Sequence, residues 1–265
     1  GGSSTLLVSV KPAGLLGKIE PLLILPEVKD PQVWWVKRLP FLDKDNLIFS
    51  FIAYPSSPLT FHKDVAKAED FTSMRGILNP KWKGKITIDD PTSSGTGSTW
   101  FAVFGSVLLD YDFMREVARM EPVIMRDERL QVEWVARGRY PLGVAASSDI
   151  VTEFLKAGAP LAEVTPVEGT YVTSGSGAVA FVEKAPHQNA AKIFINWLLS
   201  REGQTIFSKA MGRQSAREDV PTDFLLPSRV RRIGGKYVRT DDEEWRLAMP
   251  KKFEIAREIF GQLMK

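Results

Sequence analysis

Residues 86–105, ITIDDPTSSGTGSTWFAVFG, constrain the fold of this chain more than any other stretch, because the hydrophobic period changes within them. Ile86 and Ile88 alternate with Thr87 and Asp89, the period of a strand with one buried face. Beyond Asp90-Pro91, the residues Trp100, Phe101, Phe104, Val107 and Leu108 recur at the three- and four-residue spacing of a helix. Six small residues, 92–97, stand at the join. The first turn of a helix has N–H groups without intrahelical partners and the positive end of the macrodipole, which suits an anion. The same residues also make an ordinary N-cap with glycines for a tight turn. The loop is not a nucleotide motif: it lacks a Gly-Lys-Ser/Thr ending and has no third glycine at dinucleotide-binding spacing. The layout recurs in a strand at 139–145 followed by a helix at 148–157. Repeated strand–turn–helix units predict an α/β fold, with small-residue helix starts near Ser93 and Ser147 lining one cleft.

The remaining chain fits that class. Ser3 and Ser4 are placed to cap a short helix at 5–10, and prolines at 12, 21, 26 and 31 break the next twenty residues into turns and short pieces. Residues 46–54, NLIFSFIAY, read as a strand, and Pro55-Ser56-Ser57-Pro58 as a hinge. Asp110 or Asp112 caps a helix to about 120, and Asp127 opens another with Leu130 and Trp134 on one face. Gly175-Ser176-Gly177 precedes a strand at 178–182 and allows a sharp bend or a close backbone approach. Amphipathic helices are predicted at 189–199, with Ala191, Phe194, Ile195 and Leu198 inward, at 202–211, and at 253–264.

Composition excludes several functions. The 265 residues contain no cysteine, which rules out thiolate metal sites and cysteine nucleophiles, and only two histidines, His62 and His187, which disfavours a multi-histidine metal centre. No Gly-x-Ser-x-Gly elbow or phosphate-loop lysine is present, which argues against an enzyme; carboxylates such as Asp89 and Asp90 are the remaining acid–base candidates. The net charge of +3 does not decide for or against nucleic acid. The basic segment RVRRIGGKYVR at 229–239 is followed at once by acidic residues 241–244, a pattern expected of a solvated surface segment rather than of a nucleic-acid site.

Three blocks, LNPKWKGKITIDDPTSSGTG, VARGRYPLGVAAS and TSGSGAVAFVEKAPHQNAAKIFINWLLSREGQ, resemble in their order those of type II periplasmic solute-binding proteins of ATP-binding cassette importers, and most closely the iron(III)-type branch. The resemblance covers roughly residues 1–220. It implies a two-lobed α/β fold that closes by hinge motion over a small-molecule solute, no enzymatic activity, no cofactor, a periplasmic or extracellular location and a membrane permease as partner. Residues 1–58 are then part of lobe 1 with the hinge, 59–168 are lobe 2, and 169–265 cross back to lobe 1. Carried over by position, Ser3 and Ser4 match helix-opening hydroxyls of the first lobe, and His62 falls where the family often has tyrosine followed by asparagine. Ser93, Ser94, Gly95 and Thr96 match the helix-start contact of the second lobe, and Tyr140 and Tyr171 are candidate wall residues. Arg139, Arg213 and Arg217 favour a carboxylate or phosphate if they face the cleft.

Two departures qualify the resemblance. Ferric-ion binders of the family carry adjacent tyrosines before the block matched by TSGSGAVAFV, whereas here LAEVTPVEGTYVTSG contains Tyr171 alone. Naked ferric iron, which favours anionic oxygen ligands, is disfavoured as cargo, and an iron chelate is not. Family members also carry a signal peptide and several strand–helix units before a GGSST-like segment, so the chain is expected to be a truncated member with an incomplete first lobe. The resulting open edges and apolar helix faces predict self-association.

Overall fold

The computed structural model of this protein describes residues 2–264. The chain divides into two compact units, one of Gly1–Pro55, Val172–Ile233 and Arg239–Leu247, the other of Ser56–Tyr171, Gly234–Val238 and Ala248–Lys265.

The second unit is built on a five-stranded sheet in the order Val123–Met125, Ile86–Asp89, Leu142–Val144, Leu59–His62, Leu161–Val164. The first three strands are parallel, with Ile88 opposite both Ile124 and Val144. Leu59–His62 runs antiparallel to its neighbours, with Leu59 opposite Val144 and Phe61 opposite Leu142. The carboxyl ends of the three parallel strands therefore share one edge of the sheet with Leu59, and His62 lies at the other. Ile86, Ile88, Leu142 and Val144 are wholly buried, as are Trp100, Phe101 and Phe104. The Trp100 ring meets Phe104 at 5.7 Å and Phe113 at 6.3 Å.

The helix after the 92–96 turn, Thr96–Val103, does not run on regularly to residue 109. It widens over Phe104–Leu108, where the Leu109 N–H donates to the Phe104 carbonyl at 3.0 Å, five residues back. Ser106 Oγ donates to the Ala102 carbonyl at 2.6 Å, a back-bond of the kind that bends helices. The helices Tyr111–Arg119, Glu128–Ala136 and Ser148–Lys156 form where the apolar period and the capping residues direct, Asp110 and Asp127 accepting from Phe113 N–H and Leu130 N–H. Val132 and Val135 form the buried face of the second of these, while Trp134 is half-buried. Residues 248–265, which the sequence reading groups with lobe 1, fall in this unit, and Phe260 packs edge-on against Phe101 at 6.0 Å.

The first unit holds an antiparallel sheet in the order Leu16–Gly17, Ala178–Val182, Ile48–Ser50. Phe49 lies edge-on to Trp34 and Phe41. The strand expected over 46–54 is interrupted, leaving Ile48–Ser50 and Tyr54–Pro55. The cause is Gly177, whose carbonyl accepts from the N–H groups of both Phe51 and Ile52. A Cβ at Gly177 would stand 2.2 Å from that of Ile52, so only glycine permits this approach.

The Gln188–Leu199 helix is rotated from its expected setting. Its buried face holds Ile195, Asn196, Leu198 and Leu199, while Phe194 points outward with Ile193 and Trp197. Asn196 sets the rotation: its side chain accepts from the N–H groups of Ile24 and Leu25 and donates to the Leu22 carbonyl. A buried amide with these partners outweighs the inward pull of one aromatic ring. The last long helix spans Glu243–Phe260, opening well before residue 253.

Candidate functional site

The 92–96 turn closes around two carboxylates of its own chain. Asp89 Oδ2 accepts the Gly97 N–H at 2.7 Å and lies 2.8 Å from Thr96 Oγ1. Asp90 Oδ1 accepts from the N–H and hydroxyl of Thr92, and its Oδ2 from Ser93 Oγ at 3.2 Å and Arg126 Nε at 3.1 Å. Both side chains are buried, and their environments push them apart. Burial drives the Asp89 carboxyl above its ordinary value, against the opposing bonds from Gly97 and Thr96. Burial also works to raise Asp90, but the Thr92, Arg126 and Ser93 bonds together outweigh it and hold the carboxyl below its ordinary value. One of the unpaired N–H groups of the helix's first turn, that of Gly97, is thus already capped from within. Gly97 serves packing rather than phosphate approach, since a Cβ there would stand 2.0 Å from the Asp89 carbonyl oxygen. Ser93, Ser94 and Gly95 remain exposed and Thr96 half-buried.

A second turn meets this one. After Leu142–Val144 the chain passes through Ala145 with φ of 54°, a left-handed conformation that costs an L-residue about 1–2 kcal/mol. The Ala145 N–H donates to the Pro58 carbonyl at 3.1 Å, and its own carbonyl lies 2.6 Å from Thr96 Oγ1. Ser147 then leads into Ser148–Lys156. The two small-residue helix starts are therefore joined side by side at the carboxyl ends of parallel strands, the edge where open α/β sheets bind ligands.

Not every sequence candidate of the second unit is brought to this place. His62 and Tyr140 lie at the opposite end of the same sheet: the His62 N–H donates to the Pro141 carbonyl, and Tyr140 stacks on Trp134 at 5.3 Å. The antiparallel direction of Leu59–His62 puts its last residue away from the carboxyl ends of its neighbours. Tyr171 is 2 % exposed, a packed aromatic within Thr170–Thr173 rather than an open wall. Ser3 and Ser4 do not cap a helix from outside; they form its first turn, Ser3–Thr5. Ser3 is buried in the first unit, where its Oγ donates to the Gly175 carbonyl and accepts from Ser174 Oγ.

The arginines separate by environment. Arg217 is fully buried over the Trp34 ring and makes five bonds, to Asp219 twice, to the Glu27 carbonyl and carboxylate, and to the Leu199 carbonyl. Arg139 stacks on Trp134 at 4.3 Å. Arg213 lies over Tyr54 and donates to Ser176 Oγ. In the basic segment, Arg231 bonds the carbonyls of Ala53 and Ser215, and Arg229 is buried, so this run is more interior than a solvated face. Among the described residues no group of three or more His, Asp or Glu is arranged to hold a metal ion. Arg126 and Ala145 are the participants that sequence reasoning missed; Asp89 and Asp90, weighed there only as acid–base candidates, instead hold the hydroxyl-rich turn that follows them.

Residues 38–211 match the bacterial extracellular solute-binding protein family. The chain belongs to this family. An uncharacterized protein of Haemophilus influenzae is 29% identical over 187 residues, which cover 68% of this chain and 53% of that protein, so the match spans about half the relative's length. Solved solute-binding structures share the fold. Apo FutA2 from Synechocystis superposes with a TM-score of 0.68 at 19% identity, over 97% of this chain and 81% of that one. AfuA of Actinobacillus pleuropneumoniae, with fructose-6-phosphate bound, gives 0.66 at 20% identity over 99% and 88%. Trichodesmium IdiA (FutA), in complex with iron and citrate, gives 0.66 at 18% identity over 98% and 80%. The α/β periplasmic-binding-protein fold expected from the sequence is therefore shown.

Proposed function

We propose that this protein is the solute-capturing component of an ATP-binding cassette importer, working in the periplasm or outside the cell with a membrane permease. Its solute is a small polar or anionic molecule, a class that includes phosphorylated sugars and iron chelates. Family membership supports capture rather than turnover. The observation that carries the site is the junction of the 92–96 and 145–147 turns at the carboxyl ends of the parallel strands, where Ser93, Ser94 and Gly95 are exposed. Among the described residues, no hydrogen bond engages the Ser94 hydroxyl or the Ser94 and Thr96 N–H groups, so these donors are offered to an acceptor-rich solute. Arg126, 76% exposed at its side chain, adds a positive charge beside them.

Each hydrogen bond to a charged partner contributes about 1.5–3 kcal/mol, and about 1.4 kcal/mol is a factor of ten in affinity. The test begins with a native mass spectrum of freshly purified protein, followed by titration calorimetry with inorganic phosphate, fructose-6-phosphate and ferric citrate. Replacing Ser93 and Ser94 together by Ala is expected to weaken binding of the selected solute at least tenfold while leaving the fold intact. Unchanged affinity in the folded double variant returns the turn to a purely structural cap.

A further inference from the structure

Thr96 holds one hydroxyl proton between two acceptors. Its Oγ1 is 2.8 Å from Asp89 Oδ2 and 2.6 Å from the Ala145 carbonyl oxygen, and a single O–H satisfies only one of them. With Asp89 ionised, the proton is drawn to the carboxylate, because bonds to charged acceptors are the stronger, and the Ala145 carbonyl faces an oxygen with no hydrogen between. With Asp89 protonated, the carboxylic acid donates to Thr96 Oγ1 and the hydroxyl turns to Ala145, so every short contact carries a proton. The Ala145 carbonyl belongs to a left-handed residue that gains from an anchor.

We propose that Asp89 and Thr96 form a proton-controlled latch: a proton on Asp89 ties the turn after Ile86–Asp89 to the turn after Leu142–Val144, and its loss releases the tie. The latch is a property of the Ser56–Tyr171 part of the chain and does not depend on which solute is captured. The burial that drives the Asp89 carboxyl upward brings the switch above the ordinary carboxylate range. The groups around it are identifiable. Asp90, on the same turn, and Glu128, in the first turn of Glu128–Ala136, both oppose ionisation of Asp89. Arg126 is engaged by Asp90, Asp127 caps its own helix, and Asp149 stands in the first turn of Ser148–Lys156. The amino end of Thr96–Val103 favours the ionised form, through the Gly97 N–H.

The experiment is a pH titration of the solute-free protein by nuclear magnetic resonance, following the Asp89 carboxyl carbon together with the amides of residues 145–147. In the wild type, carboxyl and amides are expected to inflect at one shared midpoint above 3.8, the ordinary value of the acid. The amide inflection is expected to vanish in Asp89→Asn, which cannot titrate, and in Thr96→Val, which cannot relay, and to persist in Thr96→Ser. Near-ultraviolet dichroism of the buried tryptophans establishes that each variant is folded, and the wild-type coincidence is decisive without any variant. An Asp89 titration that leaves the 145–147 amides unmoved overturns the latch, as does an amide inflection that survives in folded Thr96→Val.

Discussion

Arg126 Nε donates to Asp90 Oδ2 at 3.1 Å across a boundary of exposure, the arginine side chain 76% exposed and the carboxylate 4%. The pair is therefore asymmetric in worth. Arg126→Ala removes a solvent-screened partner and is expected to lower stability by less than about 1 kcal/mol in chemical denaturation. The same variant is expected to weaken capture of an anionic solute more than it weakens the fold.

Asp89 and Asp90 predict opposite pH behaviour from adjacent positions. Asp90 is held below its ordinary value of 3.8, so its contribution is present above that pH and is lost as pH falls through the depressed value. Asp90→Asn is expected to be destabilised at pH 7 and to converge on the wild type in strong acid. Asp89 is raised, so the folded form binds its proton more tightly and stability falls as pH rises from 3.8 through the raised value. Asp89→Asn is expected to flatten that fall. Urea unfolding across pH for the two variants checks both signs.

Arg217 is the guanidinium on which the first unit depends. Removing it leaves the Glu27 and Leu199 carbonyls without their donor and opens a gap beneath Trp34. Arg217→Ala is expected to cost about 1–3 kcal/mol, the range for leaving buried acceptors unsatisfied, since the Glu27 and Asp219 carboxylates are 46% and 36% exposed and remain solvated; a lowered unfolding midpoint measures it. Arg217→Lys is expected to restore little of it, because one ammonium cannot span five acceptors.

Ala190, Ile193, Phe194 and Trp197 recur at helical spacing on the exposed side of Gln188–Leu199, with the Phe194 and Trp197 rings 5.9 Å apart. The stripe contains no charge, so two copies can oppose it without desolvating an ion. Concentration-dependent dimerisation of this chain is expected in sedimentation, with Phe194→Glu combined with Trp197→Glu returning it to monomer. A monomer at every concentration sinks this expectation.

What the sequence made legible was local. Alternation located Ile86–Asp89, and the capping aspartates located Tyr111–Arg119 and Glu128–Ala136, because the causes of these elements lie within a few residues of them. The outward turn of Phe194 was not legible, since it is fixed by Asn196 bonding to residues 22–25, far away in the chain. The break after Ser50 was hidden for the same reason, its agent being Gly177. At the candidate site, position in a motif pointed to the 92–96 turn together with His62 and Tyr140, which stand at the other end of the same sheet. Which end of a sheet a residue occupies depends on strand direction, and nothing in the sequence of Leu59–His62 marks that strand as antiparallel.

Thr92 Oγ1, which donates to Asp90 at 2.7 Å, also lies 3.5 Å from the sulfur of Met264 in the Gly261–Met264 turn. A thioether is a feeble acceptor and leaves that proton to the carboxylate. A sulfoxide is not. Oxidising Met264 places a strongly accepting oxygen beside the same hydroxyl, so peroxide damage at one methionine competes with Asp90 for Thr92 and loosens the turn from behind. Exposure to peroxide is thus expected to reduce solute retention more in the wild type than in Met264→Leu, making the Gly261–Met264 turn an oxidant-sensitive support of the candidate site.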